Sequence, residues 1–349
     1  MVIIIAQHWN LNEYAITPGD ATPVAPLVKI RGVTTDTNHD KILLTDVYLT
    51  RVTAWQWFRF QFEHHVEFVT PNQLLETGVP SDELNAQGYL EMSDSKQAAE
   101  VAAFRALGWK VPARTTGAVI NAVLAPSPAR RAQLHVGDEV VGVNGVKVNS
   151  ACALISALHH VAPATTVHFE VRPVTISNAG ALSWGAPVVR TLVTGPSSRA
   201  LASSGCPGVS GPGLSSIGVS LEDGVSYHLP ATVSIDTANI GGPSAGLAMT
   251  LALIDRLSKG SLTGGHVVAA TGTMSANGTV GDVGGVAEKT VAVQRAGATY
   301  FIVPQVEVAT ARANAAPGLT VLGVTNLAQA LKDLRSLGGA TPTALTRPS

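Results

Sequence analysis

Two short segments of this chain carry the residue types that nucleophilic catalysis requires. Residues 242–246 read Gly-Pro-Ser-Ala-Gly, so Ser244 is flanked by small residues that let a substrate backbone approach. Residues 284–289 read Gly-Gly-Val-Ala-Glu-Lys and end on Lys289. A serine hydroxyl is a weak nucleophile until a base accepts its proton, and a neutral lysine can be that base. The pair therefore predicts serine–lysine chemistry without a histidine.

The elements around Ser244 predict how the hydroxyl is presented. Residues 231–236 alternate and are rich in β-branched side chains, which predicts a strand. A Gly-Gly-Pro break follows, and residues 245–255 predict a largely buried helix. Backbone groups at Gly242 and Ala245, at the start of this helix, could hold an oxyanion and the substrate backbone. A serine here could equally be a helix N-cap after a glycine turn, and this segment alone favours neither.

The same five residues also fit two other motifs, which the rest of the chain excludes. A Gly-x-Ser-x-Gly nucleophile elbow needs an acid and then a histidine after the serine. The only histidine after Ser244 is His266, and the only acid between them, Asp255, lies on the predicted helix. A phosphate-binding loop would need Lys and Ser or Thr where Leu247 and Ala248 stand.

Lys289 has the setting that a neutral lysine needs. Residues 286–296 predict a helix on which Val286, Lys289 and Val293 share one face. Burial on an apolar face lowers a lysine pKa, because the charged form loses its hydration. The alternative is an amphipathic-helix lysine whose ammonium stays in water. Lys259 lies in a polar run and is predicted to be a solvated turn residue.

Together these segments resemble the Lon protease family. Residues 242–246 match its nucleophile motif, and residues 271–289 match, without a gap, the stretch from its Thr-Gly pair to its catalytic lysine. Residues 295–304 continue the match as a helix end and a buried strand, and the resemblance covers roughly residues 216–335. The resemblance implies three roles: Ser244 is the nucleophile, Lys289 is the general base, and Thr271 supplies a hydroxyl that bonds to the lysine and orients it.

The chain also departs from this family. Residues 239–241, Asn-Ile-Gly, replace the Lys-Asp pair that usually precedes the family's Gly-Pro-Ser, and Thr273 stands where its acidic residue would be. The sequence contains no Walker A motif. We therefore expect hydrolysis that is independent of ATP.

A second unit precedes these motifs and resembles a bacterial PDZ domain. Residues 117–129 and 134–148 supply an apolar strand, a Pro-Ser-Pro-Ala helix start, a Gly-Asp turn and an Asn-Gly hairpin. Residues 151–159 would be the groove helix, and residues 166–171 the last strand. PDZ domains bind extended peptides at a sheet edge, often by the C-terminal carboxylate. The alternative is a small β-rich domain without a ligand. The resemblance places the carboxylate site in a loop at residues 115–118. The candidate peptide-binding residues are Thr116, Gly117, Ala118 and Val119.

A PDZ unit followed by a Lon-type unit without an ATPase resembles the PDZ-containing Lon-like proteases of Gram-positive bacteria. Residues 14–26 and 42–50 resemble that family's N-terminal signature and following strand, and residues 94–107 predict a helix capped by Asp94. The family carries a transmembrane helix before this signature. Residues 1–6 would then be the tail of a truncated anchor, and the protein would lie at the extracytoplasmic face of the membrane. The alternative for residues 1–6 is a short strand in a soluble protein.

The composition argues against nucleic acid, metals and cofactors as partners. Charged residues make up 13% of the chain and the net charge is −1, without a basic stripe, so nucleic acid is not an expected partner. The histidines and cysteines show no metal spacing, so no metal or other cofactor is implied. A bridge between Cys152 and Cys206 does not follow from the sequence. The Gly-, Ser- and Pro-rich residues 195–216 predict a surface loop.

The sequence as a whole predicts an α/β multidomain protein. Its expected parts are a β-rich N-terminal region over residues 1–110, a PDZ domain over 111–175, a Lon-type proteolytic domain over 176–338 and a tail over 339–349. The expected function is ATP-independent serine endopeptidase action on protein or peptide substrates captured by the PDZ domain. The alternative is a PDZ-centred scaffold with an inactive or conditionally activated peptidase fold. A homo-oligomer is left open.

Overall fold

The computed structural model describes residues 8–36, 40–177, 180–196, 206–207, 209 and 214–345. The N-terminal prediction for residues 1–6 lies outside the described residues, as does most of the predicted loop at 195–216 and the end of the predicted tail. Both strands and helices are abundant, so the predicted α/β class is confirmed. Among the described helices, none combines the length and apolar character needed to cross a bilayer.

The strands are numbered here in chain order. The first ten are β1 (Asn10–Pro23), β2 (Val28–Arg31), β3 (Ile42–Thr53), β4 (Glu67–Val69), β5 (Ala113–Val123), β6 (Glu139–Val143), β7 (Val146–Lys147), β8 (Thr166–Arg172), β9 (Val174–Ile176) and β10 (Leu182–Trp184). The others are β11 (Val188–Val193), β12 (Gly195–Pro196), β13 (Ser215–Ser216), β14 (Val219–Tyr227), β15 (Thr232–Ile235), β16 (Val268–Ala270), β17 (Thr273–Met274), β18 (Val280–Gly281), β19 (Tyr300–Pro304) and β20 (Thr320–Val324).

The α-helices are numbered in the same way. They are α1 (Ala54–Phe60), α2 (Pro71–Leu74), α3 (Leu84–Ala106), α4 (Pro128–Arg131), α5 (Ala151–His159), α6 (Gly246–Leu257), α7 (Val286–Arg295), α8 (Val308–Asn314) and α9 (Leu327–Ser336). Three short 3₁₀ turns span Ala25–Leu27, Ser81–Glu83 and Gln305–Glu307.

Contacts within the chain define two compact units. The first unit consists of Met1–Gln73, Glu91–Val111 and Leu229–Ser349, and the second of Leu74–Leu90 and Pro112–His228. This division differs from the predicted boundaries, which separated residues 1–110 from residues 176–338. The difference arises because strands pair with partners that are distant in the sequence, and linear motifs do not report such pairing.

The first unit is built on a six-stranded sheet in the order β20-β19-β16-β3-β1-β4. The neighbours β20, β19, β16 and β3 are parallel, whereas β1 pairs antiparallel with both β3 and β4. Leu43 of β3 is buried in one cluster with Phe301 of β19 and with Val286 and Val293 of α7. The N-terminal strands therefore complete the sheet that carries the Lon-like motifs.

Helix α6 is buried along nearly its whole length, as its apolar sequence predicts. Its first residue must be small, because a Cβ on Gly246 would lie 2.8 Å from both the backbone nitrogen and the Cβ of Met274. The start of α6 is thereby held against β17, the strand that follows the Thr-Gly pair.

The second unit is built on a sheet in the order β11-β8-β6-β5-β14, with β7 paired to β6. Its core contains Ile120, Leu134, Leu154 of α5 and Phe169. A disulfide joins Cys152 to Cys206, a pairing that the sequence left undetermined.

The long helix α3 begins earlier than the sequence predicted. It extends over Leu84–Ala106, so Asp94 lies within the helix and the predicted cap at this residue is wrong. The 3₁₀ turn at Ser81–Glu83 leads directly into the helix, which therefore begins ten residues before Asp94.

Candidate active site

Ser244 lies in the turn that precedes α6. The helix begins at Gly246 with Ala245 as its N-cap residue, one residue later than predicted. Gly242 has φ +83°, and an added Cβ would meet no atom within 4 Å. Glycine is needed here for its backbone conformation, since L-residues with side chains rarely adopt this region. The turn leaves the Ser244 side chain partly exposed.

Three hydrogen bonds from other segments hold this turn. The Ser95 hydroxyl of α3 donates to the Pro243 carbonyl oxygen at 2.9 Å. The Ser244 carbonyl oxygen accepts from the Gly272 N–H at 2.9 Å and from the Thr271 hydroxyl at 3.3 Å. The backbone of Ser244 is therefore fixed by residues from two other segments of the first unit.

Thr271 contacts a different group from the one predicted. Its hydroxyl donates to the Ser244 carbonyl oxygen, and its N–H donates to the Ile302 carbonyl oxygen at 2.9 Å. Thr271 is fully buried and directly follows β16. In this structure Thr271 positions the serine backbone, and its proposed bond to Lys289 stays a prediction.

Lys289 is buried on α7, as the resemblance to the Lon family implied. Lys289 is only 2% exposed to solvent. Burial lowers the pKa of its ammonium from the ordinary 10.5 to about 8, and the negative charges of Asp46, Glu307 and Glu288 oppose this lowering. At neutral pH roughly a tenth of such a group is unprotonated, far more than for a solvated lysine. The solvated-helix alternative for Lys289 is therefore wrong.

The carboxyl groups around Lys289 are also perturbed. Burial raises the pKa of Asp46 on β3, and the same cause raises the pKa of Glu288. Burial likewise raises the pKa of Glu307. The negative charges of these three carboxyls favour the charged ammonium of Lys289 and so limit how far burial lowers its pKa.

Among the residues that the structure describes, no direct hydrogen bond joins the two candidate catalytic side chains, the Ser244 hydroxyl and the Lys289 ammonium. Catalytic hydrogen bonds are often long or poorly aligned without substrate and tighten when it binds.

The predicted oxyanion site is partly occupied by the fold itself. The Gly246 N–H donates to the Pro243 carbonyl oxygen at 3.3 Å, and the Leu247 N–H donates to the Gly272 carbonyl oxygen at 3.1 Å. An oxyanion would need N–H groups earlier in the turn. The assignment of Gly242 and Ala245 to this role stays a prediction.

Sequence reasoning missed Ser95 and Asp46. Both lie far from the motifs along the chain, one on α3 and one on β3. The sequence showed a serine in the predicted helix at residues 94–107 and an acid in the predicted strand at residues 42–50. Neither pattern indicates which segment the side chain faces.

The four predicted peptide-binding residues lie in a strand rather than in a loop. Thr116, Gly117, Ala118 and Val119 all belong to β5. Ala118 and Val119 pair with β14 on one side and with β6 on the other, so their backbone groups are used within the sheet. Thr116 is the member of this set that lines a cavity.

The first unit thus presents a serine at a glycine turn and a buried lysine of lowered pKa on the next long helix. Residues 223–334 match the family model of the Lon protease (S16) C-terminal proteolytic domain, and residues 105–172 match that of the PDZ domain. The chain therefore carries a proteolytic domain of the Lon protease family together with a PDZ domain, which confirms the resemblance found in the sequence.

Individual relatives match over short segments. A Lon protease from Clostridioides difficile (strain 630) is 45% identical over 64 residues, which are 18% of this chain and 8% of that protein. A Lon protease from Frankia alni is 41% identical over 90 residues, 26% of this chain and 10% of that protein. The chain thus spans a tenth or less of the curated relatives it matches. The PDZ domain of an SdrC-like protein from Listeria monocytogenes is 17% identical with a TM-score of 0.22, covering 30% of this chain and 87% of that one.

Proposed function

We propose that this protein is a serine endopeptidase of the Lon type that acts without ATP. Ser244 is the nucleophile and Lys289 the general base. The observation that carries the proposal is the burial of Lys289 with a pKa near 8, since a solvated lysine could not accept a proton at neutral pH.

The reaction proceeds in two steps. The Ser244 hydroxyl attacks the scissile carbonyl carbon while neutral Lys289 takes its proton, and the resulting ammonium gives that proton to the leaving amine. An acyl-enzyme on Ser244 remains. Water then attacks the acyl carbon while Lys289 accepts a proton from it. The bond from the acyl carbon to the Ser244 oxygen breaks, Lys289 returns the proton to that oxygen, and the acid product leaves.

Peptide capture is proposed for the second unit, at the free edge of β14. This strand pairs with β5 and with no other strand in the described part of the chain. The Asp223 carboxylate of β14 accepts from the Ala151 N–H at 2.7 Å, which fixes the start of α5 beside this strand. An extended peptide could add to β14 next to α5, as peptides do at PDZ sheet edges.

The direct test is labelling and cleavage by the purified chain. We expect a fluorophosphonate probe to label Ser244 and an unfolded protein to be cleaved without ATP. Ser244→Ala should abolish both, whereas Ser336→Ala at the end of α9 should change neither. Folded protein that shows no labelling and no cleavage would favour the scaffold alternative. A several-fold stimulation by ATP would refute the ATP independence.

We further propose that the first unit associates with a membrane surface. Several aromatic side chains are exposed at or near α1. The exposed fraction is highest for Phe62, at 73%, and Trp9, at 65%, and it lies between 36% and 52% for Trp55, Trp57 and Phe58. The Ala54 N–H donates to the Trp9 carbonyl oxygen, so Trp9 lies at the start of α1. Aromatic rings of this kind concentrate at bilayer interfaces. The Cys152–Cys206 disulfide agrees with a location outside the cytoplasm.

This proposal predicts cosedimentation with neutral phosphatidylcholine vesicles. Trp55→Ser with Phe58→Ser and Phe62→Ser should lose most of the bound fraction, because the exposed rings supply the apolar contact. The matched control replaces three exposed valines, Val189, Val193 and Val306, by serine. Equal binding by the two triple variants would contradict the proposal.

A further inference from the structure

The second unit contains a cavity of about 480 Å³ whose walls are polar and cationic. The residues around it, all within the described part of the chain, include no carboxylate. They are Arg114, Thr115, Thr116, Lys147, Asn149 and Arg172.

The cavity lies where β5 and β6 stop pairing with each other. Pairing between β5 and β6 is confined to Ala118 with Val140 and Val119 with Glu139. Beyond this point β7 takes the edge of β6, with Lys147 opposite Gly142. The gap between the N-terminal half of β5 and β7 becomes the cavity.

A buried carboxylate that does not itself line the cavity holds two of the residues that do. Glu139 has a side chain that is 5% exposed, and one of its oxygens accepts from Nη1 of Arg172 at 2.8 Å. Its other oxygen accepts from the Thr116 hydroxyl. The β14–β5 register shifts between Gly224 and Val225, opposite this part of β5, and such a bulge re-aims the local side chains. Glu139 therefore neutralises Arg172 and orients both it and Thr116.

Two cations remain without a neutralising partner. Arg114 and Lys147 are exposed, and neither forms an ion pair with a described residue. Gly142 of β6 pairs with Lys147 of β7 on one side and with Glu170 of β8 on the other. Glu170 forms no ion pair with Lys147. The cavity thus offers two free positive charges beside the Thr115 hydroxyl and the Asn149 amide.

We infer that this cavity binds the side-chain carboxylates of an acidic peptide segment. Its volume exceeds that of a single small anion and lies in the range of sites that hold ligands of drug size. On the cavity side, residues 114–116 of β5 pair with no described strand, so an extended backbone can lie along them. The choice of a peptide rests on the proposed function, whereas the binding itself requires neither Ser244 nor Lys289.

The test is a binding measurement on the full chain carrying Ser244→Ala, so that no ligand is cleaved. The probe is a fluorescent peptide with several Asp and Glu residues, compared with the same peptide carrying Asn and Gln. We expect the acidic peptide to bind on the order of tenfold more tightly, because hydrogen bonds to charged groups are the stronger ones. The difference should shrink when salt rises from about 0.05 M to about 0.3 M, since the charges are exposed.

Variants assign the binding to this cavity. Arg114→Gln with Lys147→Gln should remove the preference for the acidic peptide. Arg131→Gln with Lys332→Gln makes the same charge change at exposed positions elsewhere and should keep the preference. Circular dichroism establishes that each variant is folded.

Three results would overturn the inference. They are equal binding of the two peptides, an unchanged preference in the Arg114 and Lys147 variant, and inorganic phosphate that binds without displacing the acidic peptide. Because the protein tested cannot cleave, a failed peptidase assay with intact peptide preference refutes only the proposed enzyme activity. Loss of the preference with intact peptidase activity refutes only this site.

Discussion

Replacing Lys289 by arginine is expected to reduce turnover on the order of 10⁴-fold, because a nucleophile and its base act as a unit. The guanidinium stays protonated at all working pH values and cannot accept the serine proton. Lys289→Arg keeps the positive charge, so the loss would arise from proton transfer and not from a change of charge. The measurement is steady-state cleavage of an unfolded protein and of a short peptide.

Two controls make this result interpretable. Lys332→Arg makes the same substitution at an exposed position of α9 and should keep full activity. The double variant Ser244→Ala with Lys289→Arg should be no less active than either single variant, since each already disables the unit. A folded Lys289→Arg protein with more than about a tenth of the original turnover would remove Lys289 from the mechanism.

Activity is expected to rise steeply with pH up to about 8. The pKa of Lys289 is lowered by burial from 10.5 to about 8, and the neutral form is the base. Below this pKa the neutral fraction falls about tenfold for each pH unit, so kcat/KM should rise about tenfold between about pH 6 and about pH 7. Above the pKa the rate should level off. A flat profile between pH 6 and 8 for folded protein would contradict the assignment of Lys289 as the base.

The same group links pH to the free energy of unfolding, independently of activity. The unfolded chain keeps the Lys289 proton up to about 10.5, and the folded chain releases it near 8. Between these values the unfolded state binds more protons, so stability rises with pH across this window. At lower pH Lys289 is charged in both the folded and the unfolded state. The folded state then bears the full desolvation cost of the buried ammonium. Lys289→Met should remove this rise, which denaturant unfolding at several pH values measures, whereas Lys332→Met should keep it.

Much of the first unit could be predicted because its signals are local. The turn at residues 242–246 and helices α6 and α7 depend on glycines and on the spacing of apolar side chains within a few residues. The observed helix bounds differ little from the predicted ones: α6, for example, begins at Gly246 and was predicted to begin at Ala245. The apolar face of α7 allowed either a buried or a solvated Lys289, and the resemblance to the Lon family favoured burial, which the structure shows.

Pairing between distant segments could not be predicted in the same way. Thr271 carries a hydroxyl that could bond to either the lysine or the serine segment, and the structure shows it donating to the Ser244 carbonyl oxygen. Residues 115–118 fit a loop by resemblance, yet they form part of β5, with which β14 pairs from about a hundred residues later in the chain. Which strand pairs with which depends on the segments that meet in the folded chain. The pattern of residues within one strand does not encode this.

The sequence by itself therefore determined the chemistry that this protein can offer: a serine at a glycine turn, a lysine on an apolar helix face, and two recognisable domains. The tertiary structure decided how that chemistry is tuned and supported. It set the surroundings of Lys289 by placing Asp46 and Glu307 near it, and it fixed the Ser244 turn through Ser95. It also brought Arg114, Lys147 and Arg172 around one cavity. The physical reason is that residue type and spacing act over a few residues, whereas desolvation, charge proximity and strand pairing depend on which distant segments meet.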